Sequence, residues 1–145
     1  MNSSIRDILQ SKGSDVVGVT PSTSVFDALQ KMADANVGAL LVMANDELVG
    51  IVSERDYARK VALKGRASPD TPVSAIMSTR VIWARPDQTV EECMGIMTRK
   101  TIRHLPVLDD DDKVVGIVSI GDLVKAIIGE QQFVIQQLEN YIHGH

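Results

Sequence analysis

Aromatic residues make up 3% of this 145-residue chain, with one tryptophan, two tyrosines and two phenylalanines. Stacking on exposed bases is therefore not its main activity. Fifteen basic residues against nineteen acidic ones, a net charge of -4, argue against a general polyanion binder, so no nucleic acid is expected as partner. The one cysteine, Cys93, cannot form an internal disulfide and suits a reducing compartment. No apolar run approaches the ~20 residues that span a bilayer, and "MNSSIRDILQ" lacks the basic start and apolar core of a secretory leader. Asn2-Ser3-Ser4 matches a glycosylation triplet, which has no meaning without that route. A cytoplasmic protein with no membrane contact is expected. Neither a glycine-rich phosphate loop nor a dinucleotide fingerprint occurs.

What the chain does contain is a repeat. "GIVSERD" at 50–56 returns as "GIVSIGD" at 116–122. An offset of 65 aligns Val19–Asp46 with Ala84–Asp111, and an offset of 66 aligns Glu47–Lys60 with Lys113–Ala126. Those 42 pairs hold 12 identities, among them Pro21/Pro86, Val25/Val90, Met32/Met97 and Val49 to Ser53 with their partners. A duplication kept for packing alone would hold Ile and Val and let Ser and Asp drift.

Each copy follows the same order. The β-branched runs "VVGV" (16–19) and "VIWA" (81–84) predict strands ahead of Pro21 and Pro86. Val25, Leu29 and Met32, like Val90, Met94 and Met97, recur at helical spacing behind capping-box patterns, Ser24-x-x-Asp27 and Thr89-x-x-Glu92. "ALLVM" and "HLPVL" predict second strands, "LVGIVS" and "VVGIVS" third strands, with turns at "ANDE" and "DDDDK" between them. Closing helices are expected at 54–64 and 120–128. The result is an α/β (α+β) fold with β-α-β-β-α written twice. Lead-in turns of helix are expected at 5–9 and 73–77, and an amphipathic helix with Val134, Leu138 and Tyr141 on one face fills 129–145. The organisation is repeat 5–64, linker 65–72, repeat 73–128 and terminal helix with tail.

Tandem units of this order, closed by Gly-apolar-apolar-Ser-x-x-Asp, resemble a pair of CBS (cystathionine β-synthase) domains, a Bateman module. The resemblance covers roughly residues 5–128 and rests on "VTPSTSVFDALQKMADANVGALLV" with "GIVSERD", and "ARPDQTVEECMGIMTRKTIRHLPVLDDD" with "GIVSIGD". It implies two repeats packed about a pseudo-twofold axis, with two clefts for adenosine-containing small molecules: AMP, ADP/ATP, S-adenosylmethionine or NAD. It further implies a homodimer and a regulatory output on a protein target that the sequence does not name. In the family the closing aspartate holds the ribose hydroxyls and the serine lies near the phosphates, which assigns Asp56 and Asp122 to ribose and Ser53 and Ser119 to phosphate. The chemistry agrees, because an ionised carboxylate accepts from both hydroxyls of a diol. Val17, Val19, Val37, Gly38, Ala39, Val81, Ile82 and Ile102 would line the adenine slots. With composite clefts, Arg55, Arg103 and His104 converge on the one closed by Asp56, which then suits several phosphates; the one closed by Asp122 is less basic.

Other readings weigh less. Ser-x-x-Asp at a helix start is also a capping box, and the two roles can coexist. His104, with His143 and His145, has no serine or carboxylate partner placed by the pattern, so catalysis is not expected and no catalytic cofactor is needed. Asp109–Asp112 lacks the Asp-x-Asp-x-Asp-Gly spacing of a calcium loop, so no metal is expected. Cys93, matched by Ala28, and the methionines Met32, Met77, Met94 and Met97 are core material. The competing function is a structural or interaction protein whose nucleotide sites are vestigial.

Overall fold

The computed structural model describes residues 3–13 and 16–142; Asn2, His143 and His145 lie outside the described residues. The chain divides into two compact units, 15–82 and 1–14 with 83–145.

In the first unit, β1 (Gly18–Val19) pairs in parallel with β2 (Ala39–Ala44), which pairs antiparallel with β3 (Glu47–Ser53). Helix α2 (Val25–Ala35) lies between β1 and β2 in sequence. Its N-cap Ser24 accepts the Asp27 N–H at 3.1 Å, and it stops at Asn36 in the left-handed region (φ 54°). Helix α3 (Glu54–Tyr57) follows β3 and widens into a π-helical turn over Ala58–Ala62, where a single helix was expected to reach 64. The core gathers Val19, Val25, Ala28, Met32, Leu40, Val42, Val52 and Val61. Val73 and Ile76 belong to it too, although they lead into the second repeat.

The second unit repeats the plan with α4 (Val90–Lys100), the antiparallel pair β4 (His104–Leu108) and β5 (Val114–Ser119), and α5 (Ile120–Ile142). The strand expected at 81–84 is reduced to one parallel bridge, Ala84 to Val107, which is the repeat of Val19 to Val42. The next rung toward the chain start would draw on the N–H of residue 106, and Pro106 has none. The helices expected at 120–128 and 129–145 are one continuous α5. Gly129 costs a helix interior only ~1 kcal/mol and does not break it. Asp109–Asp112 form a hairpin clasp: the Asp109 carboxylate accepts the N–H groups of Asp111 and Lys113, each at 2.9 Å, and Arg85 donates to Asp112 at 2.9 Å and to the Asp109 carbonyl.

Each unit takes its lead-in from the other repeat's side of the sequence. Helix α1 (Ile5–Lys12), capped by a Ser4–Asp7 box, buries Ile5, Ile8 and Leu9 in the second unit. Ile5 N–H donates to Gln88 O at 2.9 Å and Val90 N–H to Ser3 O at 3.0 Å. The first unit has the same stitch, Val73 N–H to Thr23 O and Val25 N–H to Thr71 O, both at 2.8 Å. Beneath each lead-in sits the glycine of the repeated motif. A Cβ on Gly116 would lie 2.6 Å from Leu9 Cδ2, and one on Gly50 would lie 2.7 Å from Met77 Sδ and 3.0 Å from the Ser78 carbonyl. The glycines are there to let a side chain in.

Gly116→Ala is expected to destabilise by about 1–3 kcal/mol through overpacking. Adding Leu9→Ala makes room, so the double variant should recover more than ~0.5 kcal/mol relative to the sum of the two single changes. Urea midpoints of the four proteins measure this.

Candidate functional site

β3 and β5 each end at the motif serine, and a helix starts on the next residue. Ser53 pairs across the ladder with Ala39, and Ser119 with His104. The first helical N–H donates to the carbonyl just before the facing strand: Glu54 to Gly38 at 3.0 Å, Ile120 to Arg103 at 2.9 Å. One backbone frame therefore carries Gly38 and Ala39 in one copy and Arg103 and His104 in the other. Within it both capping boxes form. Ser53 N–H donates to Asp56 Oδ2 at 2.9 Å and Asp56 N–H returns to Ser53 Oγ at 3.2 Å; the Ser119–Asp122 distances are 2.8 and 3.2 Å. The cap uses part of each carboxylate's capacity, since two carboxylate oxygens offer about four acceptor directions.

The acids differ in what else they hold. Asp56 Oδ1 faces Lys60 Nζ at 3.2 Å, and Lys60 also donates to the Ile76 carbonyl at 2.8 Å. With Lys60 46% exposed, that pair contributes little. The repeat position of Lys60 is Ala126, and Asp122 takes its cation from α1 instead. Lys12 Nζ donates to Asp122 Oδ2 at 2.7 Å and to the Ile117 carbonyl at 2.9 Å. Asp122 Oδ1 accepts no hydrogen bond from the described residues. Burial pushes the Asp122 carboxyl up, but hydrogen bonds from Lys12 and Ser119 and the lysine's charge outweigh it and hold it below the usual carboxylate value. Burial likewise pushes His104 below the usual imidazole value; Asp122 opposes this, and Lys12 and Arg103 add to it. Expected as part of a basic phosphate cluster, His104 is biased by this burial toward the neutral imidazole, which offers a hydrogen bond rather than a charge.

The remaining expected residues divide by burial. Arg55 and Arg103 are exposed, and Gly38, Val81, Ile82 and Ile102 are half-buried. Val19 is buried in its own unit's core, and Val17 is half-buried and packs against that core. Ala39 is buried on β2. Val37 and Gly38, with Leu29, Met32, Ala33, Asn36 and Glu54, border a hollow of about 300 Å³, the low end for a small-molecule site; Asp56 is not in its wall. Cys93 is fully buried, and burial followed by the charge of Glu92 pushes its thiol up to about 11, which leaves it inert. Two residues escaped the sequence reading. Lys60 stands four positions after Asp56 and was legible as a helical pair; Lys12 stands 110 positions before Asp122, where no local pattern reaches.

A carboxyl with a depressed folded-state pKa stabilises the fold above its unfolded pKa and loses that contribution as pH falls through the folded value. Asp122→Asn should therefore be less stable than the parent at pH 7, and the gap should close as pH falls below about 4. Urea unfolding of both proteins from pH 7 to pH 3 checks the sign.

The CBS domain family model matches residues 5–63 and 73–129. The chain is similar to the CBS domain-containing protein CBSX3, mitochondrial, of Arabidopsis thaliana, 40% identical over 99% of this chain and 73% of that one. A solved protein with CBS domains from Burkholderia ambifaria MC40-6 aligns with a TM-score of 0.86 and 46% identity, over 89% of this chain and 96% of that one. The CBS domain pair of protein MJ0100, solved with 5′-methylthioadenosine and S-adenosyl-L-methionine, aligns with a TM-score of 0.78 and 26% identity, over 90% of this chain and 99% of that one. Two copies of the β-sheet frame, each closed by a capped Ser-x-x-Asp and matched by the same family, place this chain in the CBS domain family as a tandem pair.

Proposed function

We propose that the chain is a regulatory, non-catalytic module that binds adenosine-containing ligands, of the AMP, ADP/ATP or NAD type, and acts in trans on a protein target. The observation that carries this is the pair of aspartates on equivalent backbone frames, each with acceptor capacity left beyond its helix cap. Asp56 and Asp122 receive ribose hydroxyls; Ser53, Ser119, Arg55 and Arg103 lie on the phosphate side, and His104 serves as a hydrogen-bond partner. The adenosine ligands of the MJ0100 pair support the same ligand class here. A reducing compartment suits the buried thiol, and the cytoplasm remains our reading.

The working assembly in this proposal is a homodimer. Among the described residues no helix is long and apolar enough to cross a membrane, yet α5 leaves Val134, Ile135, Leu138, Tyr141 and Ile142 at least half exposed. A helical segment of this length is marginal in water unless its apolar face is covered. Val124, Ile127, Gln131, Val134, Leu138 and Tyr141 keep the alternating three-and-four spacing of a coiled-coil seam. Glu139 is the one charged residue from 131 to 142, so a second copy of the same helix meets little repulsion.

At a ligand concentration of 100 times Kd, AMP, ATP or NAD should stabilise the protein by about 2.7 kcal/mol. Asp56→Ala with Asp122→Ala should abolish that thermal shift while the protein stays folded; indifference to all three compounds in the parent chain would favour the structural protein with vestigial sites. In sedimentation at micromolar concentration the parent should run as a dimer and Leu138→Glu as a monomer.

A further inference from the structure

Lys12 occupies the acceptor that the proposed ligand needs. Helix α1 is pinned by buried Ile5, Ile8 and Leu9, with Leu9 seated over Gly116. One turn further along the same face, the Lys12 ammonium bridges the Ile117 carbonyl and Asp122 Oδ2. At 2.7 Å the second bond is a short charge-assisted one, and the two side chains are only 36% and 20% exposed. The first copy differs: Lys60, which bridges the Ile76 carbonyl and Asp56, comes from the aspartate's own helix and faces the other carboxylate oxygen, at 3.2 Å.

A diol gripped by a carboxylate spreads its hydroxyls over both oxygens. Asp122 Oδ1 is open, whereas Oδ2 already accepts the Ser119 N–H and Lys12. An oxygen with two lone pairs takes a third donor only by losing one. The Ser119 N–H is held by the strand and the helix cap and cannot leave. Lys12 can, because its ammonium rides on a flexible four-carbon stem. An anionic group arriving with the diol offers the ammonium a new partner within reach of the Ile117 carbonyl. We propose that Lys12 is a latch on Asp122: it closes this half-site to neutral diols and opens it to ligands that bring negative charge, so that it sets the preference for phosphorylated over unphosphorylated adenosine compounds. This rests on Asp122 being the ribose acceptor.

The test uses the full chain carrying Asp56→Ala, so that only the Asp122 half-site is read, with adenosine and AMP titrated by calorimetry. Lys12→Met keeps the stem and removes the charge; Lys12→Gln is a second variant should the first fail to fold, and Lys12→Arg keeps the charge. Lys12→Met or Lys12→Gln is expected to bind adenosine about tenfold tighter and to lose about tenfold of the AMP-over-adenosine preference, the scale of one charge-assisted hydrogen bond. Lys12→Arg should keep the parent preference. Unchanged adenosine affinity and unchanged preference in folded Lys12→Met overturn the latch. If Asp122→Ala abolishes binding while Lys12→Met changes nothing, the latch alone falls. If Asp122→Ala binds both compounds as the parent does, or the parent binds neither, the ribose assignment falls and the latch with it.

Discussion

Both units depend on a side chain resting directly on backbone. Leu9 settles over Gly116 and Met77 over Gly50, closer than any Cβ would allow. That seat lets each lead-in segment lie against β5 or β3, and a pair of backbone hydrogen bonds stitches it to the residues flanking the helix N-cap, Gln88 and Val90 in one unit and Thr23 and Val25 in the other. Interiors are packed too tightly to absorb an added methyl without displacement. The seat also sets the chemistry beside it, for Lys12 reaches Asp122 because Leu9, one turn earlier, holds α1 on β5.

Capping and ligand chemistry draw on the same atoms here. The Ser and Asp of each motif satisfy the helix start, and an acceptor-only carboxylate retains capacity beyond that duty. What separates the copies is their surroundings. Asp56 is partnered loosely by a lysine on its own helix; Asp122 is held ionised by a remote one and stands near a histidine that burial pushes toward its neutral form. Duplication preserved the frame, and substitution around it produced two unlike environments.

The repeated order of elements, the N-caps at Ser24 and Thr89, and the strands at 39–44, 47–53, 104–108 and 114–119 were all legible in the residues, because each rests on local periodicity or local hydrogen bonding. Three features were not. The β-branched run at 81–84 looks like a strand, but its pairing depends on a proline that stands two dozen residues later. Gly129 looks like a boundary, but nothing there stops α5. Val19 stands at the end of a β-branched run, yet spacing gives a face and not the direction it points, which is into its own unit's core.

By itself the sequence determined that there are two units, what the order of elements is, and that each closes on a capped aspartate, since turns, caps and two- or 3.6-residue periods act over a few neighbours. Only the tertiary structure decided that α1 belongs with the second repeat, that the motif glycines are seats for Leu9 and Met77, and that Lys12 meets Asp122. Those contacts join residues about 27 to 110 positions apart, and they come into being only when a core has formed to hold them.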